Sequence, residues 1–376
     1  MIKCPALLSA LLVFVCVLAP GRASAQDIQS GGAKKDPKKS EDAFKARLIA
    51  IPFIYYSPET KLAFGAGGIL NFRAGRDKER TRASTVWAFG NYTLAKQFQI
   101  VVKPEIYFER NRFFLSGNIR YERTPQIFFG IGNDMPSTAA ESYTPRIMTV
   151  QAGLKKKFLG HLFAGVQYDF EQTTMEYVEP GGMLSSGSIT GSRGGLLSGF
   201  GVSLDWDTRD GVIYPRKGVF FQLALNTCGA MTGSDFTFTS LKLDCRKYFL
   251  VAPDQVLALQ AYIRTTAGEV PFHKLGLLGG ESLMRGYYKG RFRDKDILAV
   301  QAEYRVMVTE RIGVVGFAAL ADVFPDFSEF DLKTIKYSLG TGFRYVVNKR
   351  ESTTLRMDMA WGKASFGLYF TAQEAF

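Results

Sequence analysis

The sequence predicts an all-β chain, a transmembrane antiparallel β-barrel of about 16 strands carrying one long inserted loop. Three observations predict it. Short segments alternate apolar and polar residues from Phe44 onward, an export signal opens the chain, and aromatic residues make up 14% of it and include the terminal Phe376. Alternation alone also fits a water-soluble sandwich, whose strands bury one apolar face. The export signal and the aromatic content turn the expectation toward a membrane barrel.

The first 25 residues carry Lys3, an apolar run from Ala6 to Ala19, and Ala23-Ser24-Ala25 before Gln26. Those are the three parts of a cleaved secretory signal. After it, no apolar stretch approaches the roughly 20 residues that a membrane-spanning helix needs. Gln26 to Ala43 is polar and basic, with almost nothing to bury, and reads as a flexible linker. From residue 44 to 376 no comparable break occurs, so one domain is expected.

Within that domain, strand candidates centre near Arg47, Leu62, Ser84, Phe98, Arg112, Arg146, Leu162, Leu197, Gly218, Phe236 and Gln255, and then near Ile297, Ile312, Ile335, Thr353 and Ser365. Eleven precede the glycine-rich stretch Leu278 to Gly290 and five follow it. The total is even, as single-chain bacterial barrels require, and leaves roughly 10 residues per strand. The clearest strand is LAVQAEYRVMV, Leu298 to Val308. It sets Leu298, Val300, Ala302, Tyr304 and Val306 on one face and Gln301, Glu303 and Arg305 on the other. Likewise Leu355, Met357, Met359 and Trp361 oppose Arg356 and Asp358. The aromatic pairs Tyr55-Tyr56, Phe113-Phe114, Phe128-Phe129 and Tyr287-Tyr288 fall near strand ends, where interfacial girdles are expected.

Cys4 and Cys16 lie in the signal, leaving Cys228 and Cys245 on successive strands. Counting outward from the turn near Gly233 places residue 238, not 245, opposite Cys228, too far along the ladder for a disulfide. Two free thiols are expected. Removing the signal leaves 45 basic against 35 acidic residues, a net +10. The cations are spread through the strands, so they suit lumen and rim positions facing outer-membrane lipid and lipopolysaccharide. A nucleic-acid site would cluster them, and none is expected.

Five segments together carry a family resemblance: PFIYYSPETKLAFGAGG (Pro52 to Gly68), FFGIGND (Phe128 to Asp134), DWDTRDGVIYPRKG (Asp205 to Gly218), GGESLMRGYYKGRFRD (Gly279 to Asp294), and ALADVF with GTGFRY and the last Phe. The chain resembles the BamA/TamA superfamily of outer-membrane assembly and translocation barrels, the bacterial surface antigen family. The resemblance implies that the loop between strands eleven and twelve is extracellular and folds into the lumen. Its arginine tip would be Arg285-Gly286-Tyr287, with Gly279 and Gly280 letting the loop backbone pack closely.

An inner-wall carboxylate is implied as the partner of Arg285, with Asp322 the first candidate and Glu303 the second. Arg344, Gly340 and Gly342 are expected on the same inner wall. A planar guanidinium grips a carboxylate bidentately, which lysine cannot do. Asp205, Asp207 and Arg209 share one strand face and would line the lumen, and Pro215 and Gly218 shape the turn after them. Phe376 would be the assembly signal. A seam joining Arg47 to Tyr56 with Phe366 to Phe376 is also implied. The known members carry periplasmic POTRA domains, whereas the stretch from Gln26 to Ala43 is too short for one.

Enzyme readings fail. Only His161 and His273 exist, neither in a nucleophile or metal-ligand spacing. Asp207 and Asp210 point to opposite strand faces, and the glycines near Arg285 lack a strand-to-helix context. No cofactor and no metal are expected. The expected function is outer-membrane protein insertion or translocation, with unfolded outer-membrane or secreted proteins as partners and assembly machinery inserting the chain itself. The alternative is a plugged passive channel or lipid-handling barrel.

Overall fold

The computed structural model describes residues 46–57, 61–348 and 353–376. The signal and linker lie outside these, as do the side chains of Tyr55 and Tyr56. The strands are β1 (Arg47–Ser57), β2 (Lys61–Phe72), β3 (Ser84–Thr93), β4 (Phe98–Phe108), β5 (Phe113–Arg123), β6 (Gln126–Phe128), β7 (Glu141–Leu159), β8 (Leu162–Val178), β9 (Gly194–Asp207) and β10 (Gly218–Cys228). They continue with β11 (Phe238–Ala252), β12 (Gln255–Gly268), β13 (Gly276–Leu278), β14 (Phe292–Asp294), β15 (Asp296–Met307), β16 (Ile312–Phe324), β17 (Lys336–Asn348), β18 (Thr353–Gly362) and β19 (Ser365–Ala372). Leaving out the three-residue β6, β13 and β14, eleven long strands precede the inserted loop and five follow it. Each expected strand is present.

The chain divides into two compact units. The first holds β1 to β5 and the middle of β7, with antiparallel ladders from β1 to β5 in chain order. The second holds the rest. In it β8, β9, β10, β11, β12, β15, β16, β17, β18 and β19 pair in turn, each antiparallel to the next. Its connections 179–193, 229–237, 269–295 and 325–335 all leave from one end, called here the loop end. The connections 208–217, 253–254 and 308–311 lie at the other, turn end.

Strands of the second unit are apolar outside and polar inside. On β15 from Leu298 onward the buried positions are Ala299, Gln301, Glu303 and Arg305, while Val300 and Tyr304 are exposed. Arg344, Arg356 and Asp358 are buried while Phe343, Leu355 and Trp361 are exposed. A protein folded in water does the reverse, because burying a charge costs heavily unless it is paired. An apolar exterior over a polar interior is the arrangement of strands set in lipid. Among the described residues no helix is long and apolar enough to cross a membrane.

β7 and β8 depart from the expected length of about 10 residues, with 19 and 17. Along β8 the outward positions read Val166, Tyr168 and Phe170, and then Gln172, Thr174 and Glu176. Two of the expected aromatic girdle pairs are elsewhere. Phe128 and Tyr287 are buried, Phe128 against Phe272 with ring centroids 5.2 Å apart, and Phe129 packs on Tyr288 at 5.8 Å. These rings hold loops to one another. Phe113 stacks on Phe108 at a strand end of the first unit. Cys228 lies opposite Phe238 and Cys245 opposite Phe221, so both thiols are free.

Candidate functional site

The inserted loop begins as a short hairpin, β13 with β14, pairing Gly276 with Asp294 and Leu278 with Phe292. Gly279 and Gly280 then take positive φ of 108° and 104°. A side chain at Gly279 would strike the carbonyl of Tyr288, so only glycine lets the two arms close. Cross-loop bonds from Gly280 N to Tyr287 O, 3.0 Å, and Gly290 N to Leu278 O, 2.9 Å, fix the tip. The tip residues Met284 and Tyr287 are buried with Leu278, Ile297, Ala319 and Val323.

Tip and wall meet through fixed polar contacts. Gly286 N donates to the Tyr369 hydroxyl at 2.9 Å, and Ser365 Oγ donates to Gly286 O at 2.6 Å. The Tyr287 hydroxyl donates to Tyr337 O at 3.1 Å and accepts from Lys363 N at 2.9 Å. Gly362 leaves the space that the Tyr287 ring fills.

At the centre, Arg285 is 1% exposed. Its Nη2 is 2.7 Å from Glu303 Oε2, and its Nη1 is 2.6 Å from Asp358 Oδ2. Arg344 grips the other oxygen of Asp358 at 2.6 Å and Glu374 at 2.7 Å. Arg305 Nε is 2.8 Å from Glu303 Oε1. The Arg285 guanidinium carbon is also 3.4 Å from the centroid of Phe317. Arg356 Nε is 3.5 Å from Asp358 Oδ2, so four arginines share three carboxylates in a desolvated cluster, where each charge depends on its neighbours.

Strand register explains why these groups meet. Glu303 pairs with Phe317 and Phe317 with Gly340, one row across β15, β16 and β17. A side chain at Gly340 would collide with the Phe317 ring, and one at Gly342 with the Asp358 carboxylate, its partner in the ladder. These two inward glycines make the floor on which the ring and the carboxylate rest.

Asp322, the first candidate for the partner of Arg285, is elsewhere. Its parity on β16 is that of exposed Leu320, not of buried Phe317, Ala319 and Ala321, and it pairs with Leu298, five rungs from Glu303. That is roughly 17 Å along a strand. It is buried because loops cover it: Asn133 and Thr334 Oγ1 donate to it, the latter at 2.5 Å, as does Val323 N at 3.0 Å. Glu303 and Arg344 are where the sequence places them. Asp358, Phe317 and Glu374 were missed.

Asp205 and Asp207 lie on the buried face of β9, whereas Arg209 follows the end of that strand and is half-buried. Arg209 Nε is 2.9 Å from Asp207 Oδ1, with its guanidinium 4.4 Å from the Phe220 centroid. Asp205 pairs with Lys155 and accepts from Gln222 Nε2 at 3.0 Å. A side chain at Gly218 would strike Thr208, which explains the glycine after the turn. The FFGIGND segment clasps the inserted loop: Gly132 N donates to Arg293 O at 2.8 Å, and the buried Arg293 guanidinium is 4.8 Å from the Phe128 ring. Burial holds that guanidinium below the usual arginine range.

Phe376 does not end a strand. β19 stops at Ala372, Gln373 takes φ 68°, and Phe376 is buried against Tyr248 and Ala258.

The profile of the Omp85 superfamily domain matches residues 63–363. The chain belongs to the Omp85 superfamily. Its fold is similar to that of BamA from Haemophilus ducreyi lacking POTRA domains 1–3, with TM-score 0.56 and 13% identity over 88% of this chain and 69% of that one. It is also similar to CdiB from Escherichia coli, with TM-score 0.53 and 10% identity over 87% and 61%. CdiB from Acinetobacter baumannii gives TM-score 0.53 and 11% identity over 87% and 59%. This chain thus spans less than two thirds of either CdiB chain. No curated protein matches in sequence. As an Omp85 chain it is an all-β barrel protein, and the family points to the bacterial outer membrane.

Proposed function

We propose that this Omp85 chain inserts proteins into the outer membrane or translocates them across it, with the loop from Gly279 to Arg293 locked inside by Arg285. The observation that carries the reading is the seating of one loop guanidinium between Glu303 and Asp358 on separate strands. A loop serving only as a cover needs no charged anchor buried at such cost. A loop that must hold strands in a defined relation gains from one, because the lock ties β15 to β18 through a single side chain. The partners in this reading are unfolded outer-membrane or secreted proteins, and no reaction is catalysed.

The test reconstitutes the protein in liposomes and follows the folding of a separate unfolded barrel protein, with and without Arg285→Ala. Acceleration abolished by the substitution supports the reading. No acceleration, together with steady conductance that grows when Gly279 to Arg293 is deleted, replaces it with a plugged channel.

A further inference from the structure

The last four residues do something that strand alternation does not call for. On β19 the outward positions are Phe366, Leu368 and Phe370, all exposed, while Tyr369 and Thr371 turn inward. Continued as a strand, Glu374 and Phe376 would point outward with them, placing a carboxylate in lipid. Instead Gln373 adopts the left-handed φ of 68°, with its N–H on Thr354 O at 2.8 Å, and the chain turns in. Left-handed backbone at a residue other than glycine costs energy and persists only where contacts hold it.

The contacts are specific. Glu374 Oε2 is 2.7 Å from Arg344 Nε and 3.8 Å from Arg305 Nε, and its other oxygen accepts from Thr354 Oγ1 at 3.2 Å. The Phe376 ring is buried with Tyr248 and Ala258, and Arg305 Nη2 donates to Phe376 O at 3.0 Å. Glu374 also offsets charge. Without it Arg285, Arg305, Arg344 and Arg356 face only Glu303 and Asp358.

We propose that the wall formed by Tyr248, Ala258, Arg305, Arg344 and Thr354 is a peptide-binding site for a segment reading acid, any residue, aromatic, and that Glu374 to Phe376 fill it as an internal latch. The latch enters from the turn end and the Arg285 loop from the loop end, and both grip the same charges: Arg305 holds Glu303 with one nitrogen and Phe376 with another. Releasing the latch frees two arginines at the turn end and loosens the seat of Arg285. A competing segment of the same chemistry, from a second copy or a client chain, would release it by displacement. The latch stands whether or not the chain inserts proteins.

Two measurements test it on the folded, detergent-solubilised protein, scored for folding by heat-modifiable migration. First, Ala375→Cys in a Cys228→Ser, Cys245→Ser background is labelled with a maleimide. Slow labelling that rises about tenfold with Glu374→Gln plus Phe376→Ala, but not with Glu374→Asp plus Phe376→Tyr, is expected. Equal rates in all three overturn the latch. Should the double variant not fold, Glu374→Gln alone decides by the same comparison. Second, a fluorescent peptide of Thr371 to Phe376 should bind protein truncated after Gln373, and about tenfold more weakly with its Glu and Phe replaced by Gln and Ala. No binding, or equal binding of both peptides, overturns the site.

Discussion

Arg285 lies flat on Phe317, guanidinium carbon 3.4 Å from the ring centroid, while its nitrogens reach Glu303 and Asp358. The ring closes one face of the guanidinium and the carboxylates fill its edge, a geometry that fits arginine and not lysine. Arg285→Ala should lower the temperature at which the heat-modifiable band converts, by an amount set by two stranded carboxylates. Breaking a buried pair costs about 3–5 kcal/mol. Arg285→Lys should recover less than half of the lost interval, measured by the same gel assay.

The glycine floor makes a second prediction. Gly340 and Gly342 leave room for the Phe317 ring and the Asp358 carboxylate. Gly342→Val should destabilise the barrel as much as Asp358→Ala does, because it displaces the same carboxylate. Gly316, which has open space where a side chain would stand, should accept Ala within about 0.5 kcal/mol. Urea titrations in lipid compare the three.

Asp322 and Asp358 should part company. Asp322→Ala frees Asn133 and Thr334 and should speed proteolysis of the 325–335 loop, with the heat-modifiable transition nearly unmoved. Asp358→Ala should do the opposite. A large loss of heat resistance in Asp322→Ala would show that the lock reaches the loop end.

His273 gives the pH dependence. It is half-buried in the 269–275 segment with Nε2 3.2 Å from Glu171, whose other oxygen is held by Lys274 at 2.6 Å. Burial holds its pKa below the ordinary 6.5 in the folded state, ahead of the opposing pull of Glu171. The unfolded chain therefore takes up the proton first. Stability should be full above pH 6.5 and fall as the pH drops through the folded value. His273→Gln should flatten that segment of the curve, read as urea midpoint against pH.

Much of the fold was legible because a period of two is visible in any strand with unlike faces, and in this chain nearly all are of that kind. The site was legible in part. Glu303, Arg305 and Arg344 stand out as charges on otherwise apolar alternation. Asp322 misled because alternation fails at a strand end, where loop residues rather than lumen cover a side chain. Asp358 sat in a recognised strand, but its meeting with Arg344 and Arg285 depends on the register of β18 against β17, where it pairs with Gly342. Glu374 was hidden because its inward turn hangs on a left-handed glutamine, which no glycine or proline announces.

β8 carries its own ruler. At about 3.3 Å per residue and a tilt near 40°, its 17 residues rise roughly 43 Å, against an apolar band of about 25 Å. The change from Tyr168 and Phe170 to Gln172, Thr174 and Glu176 marks where the oil stops. Beyond that line the polar end of the strand overtops the apolar band, a parapet whose side chains are made for water.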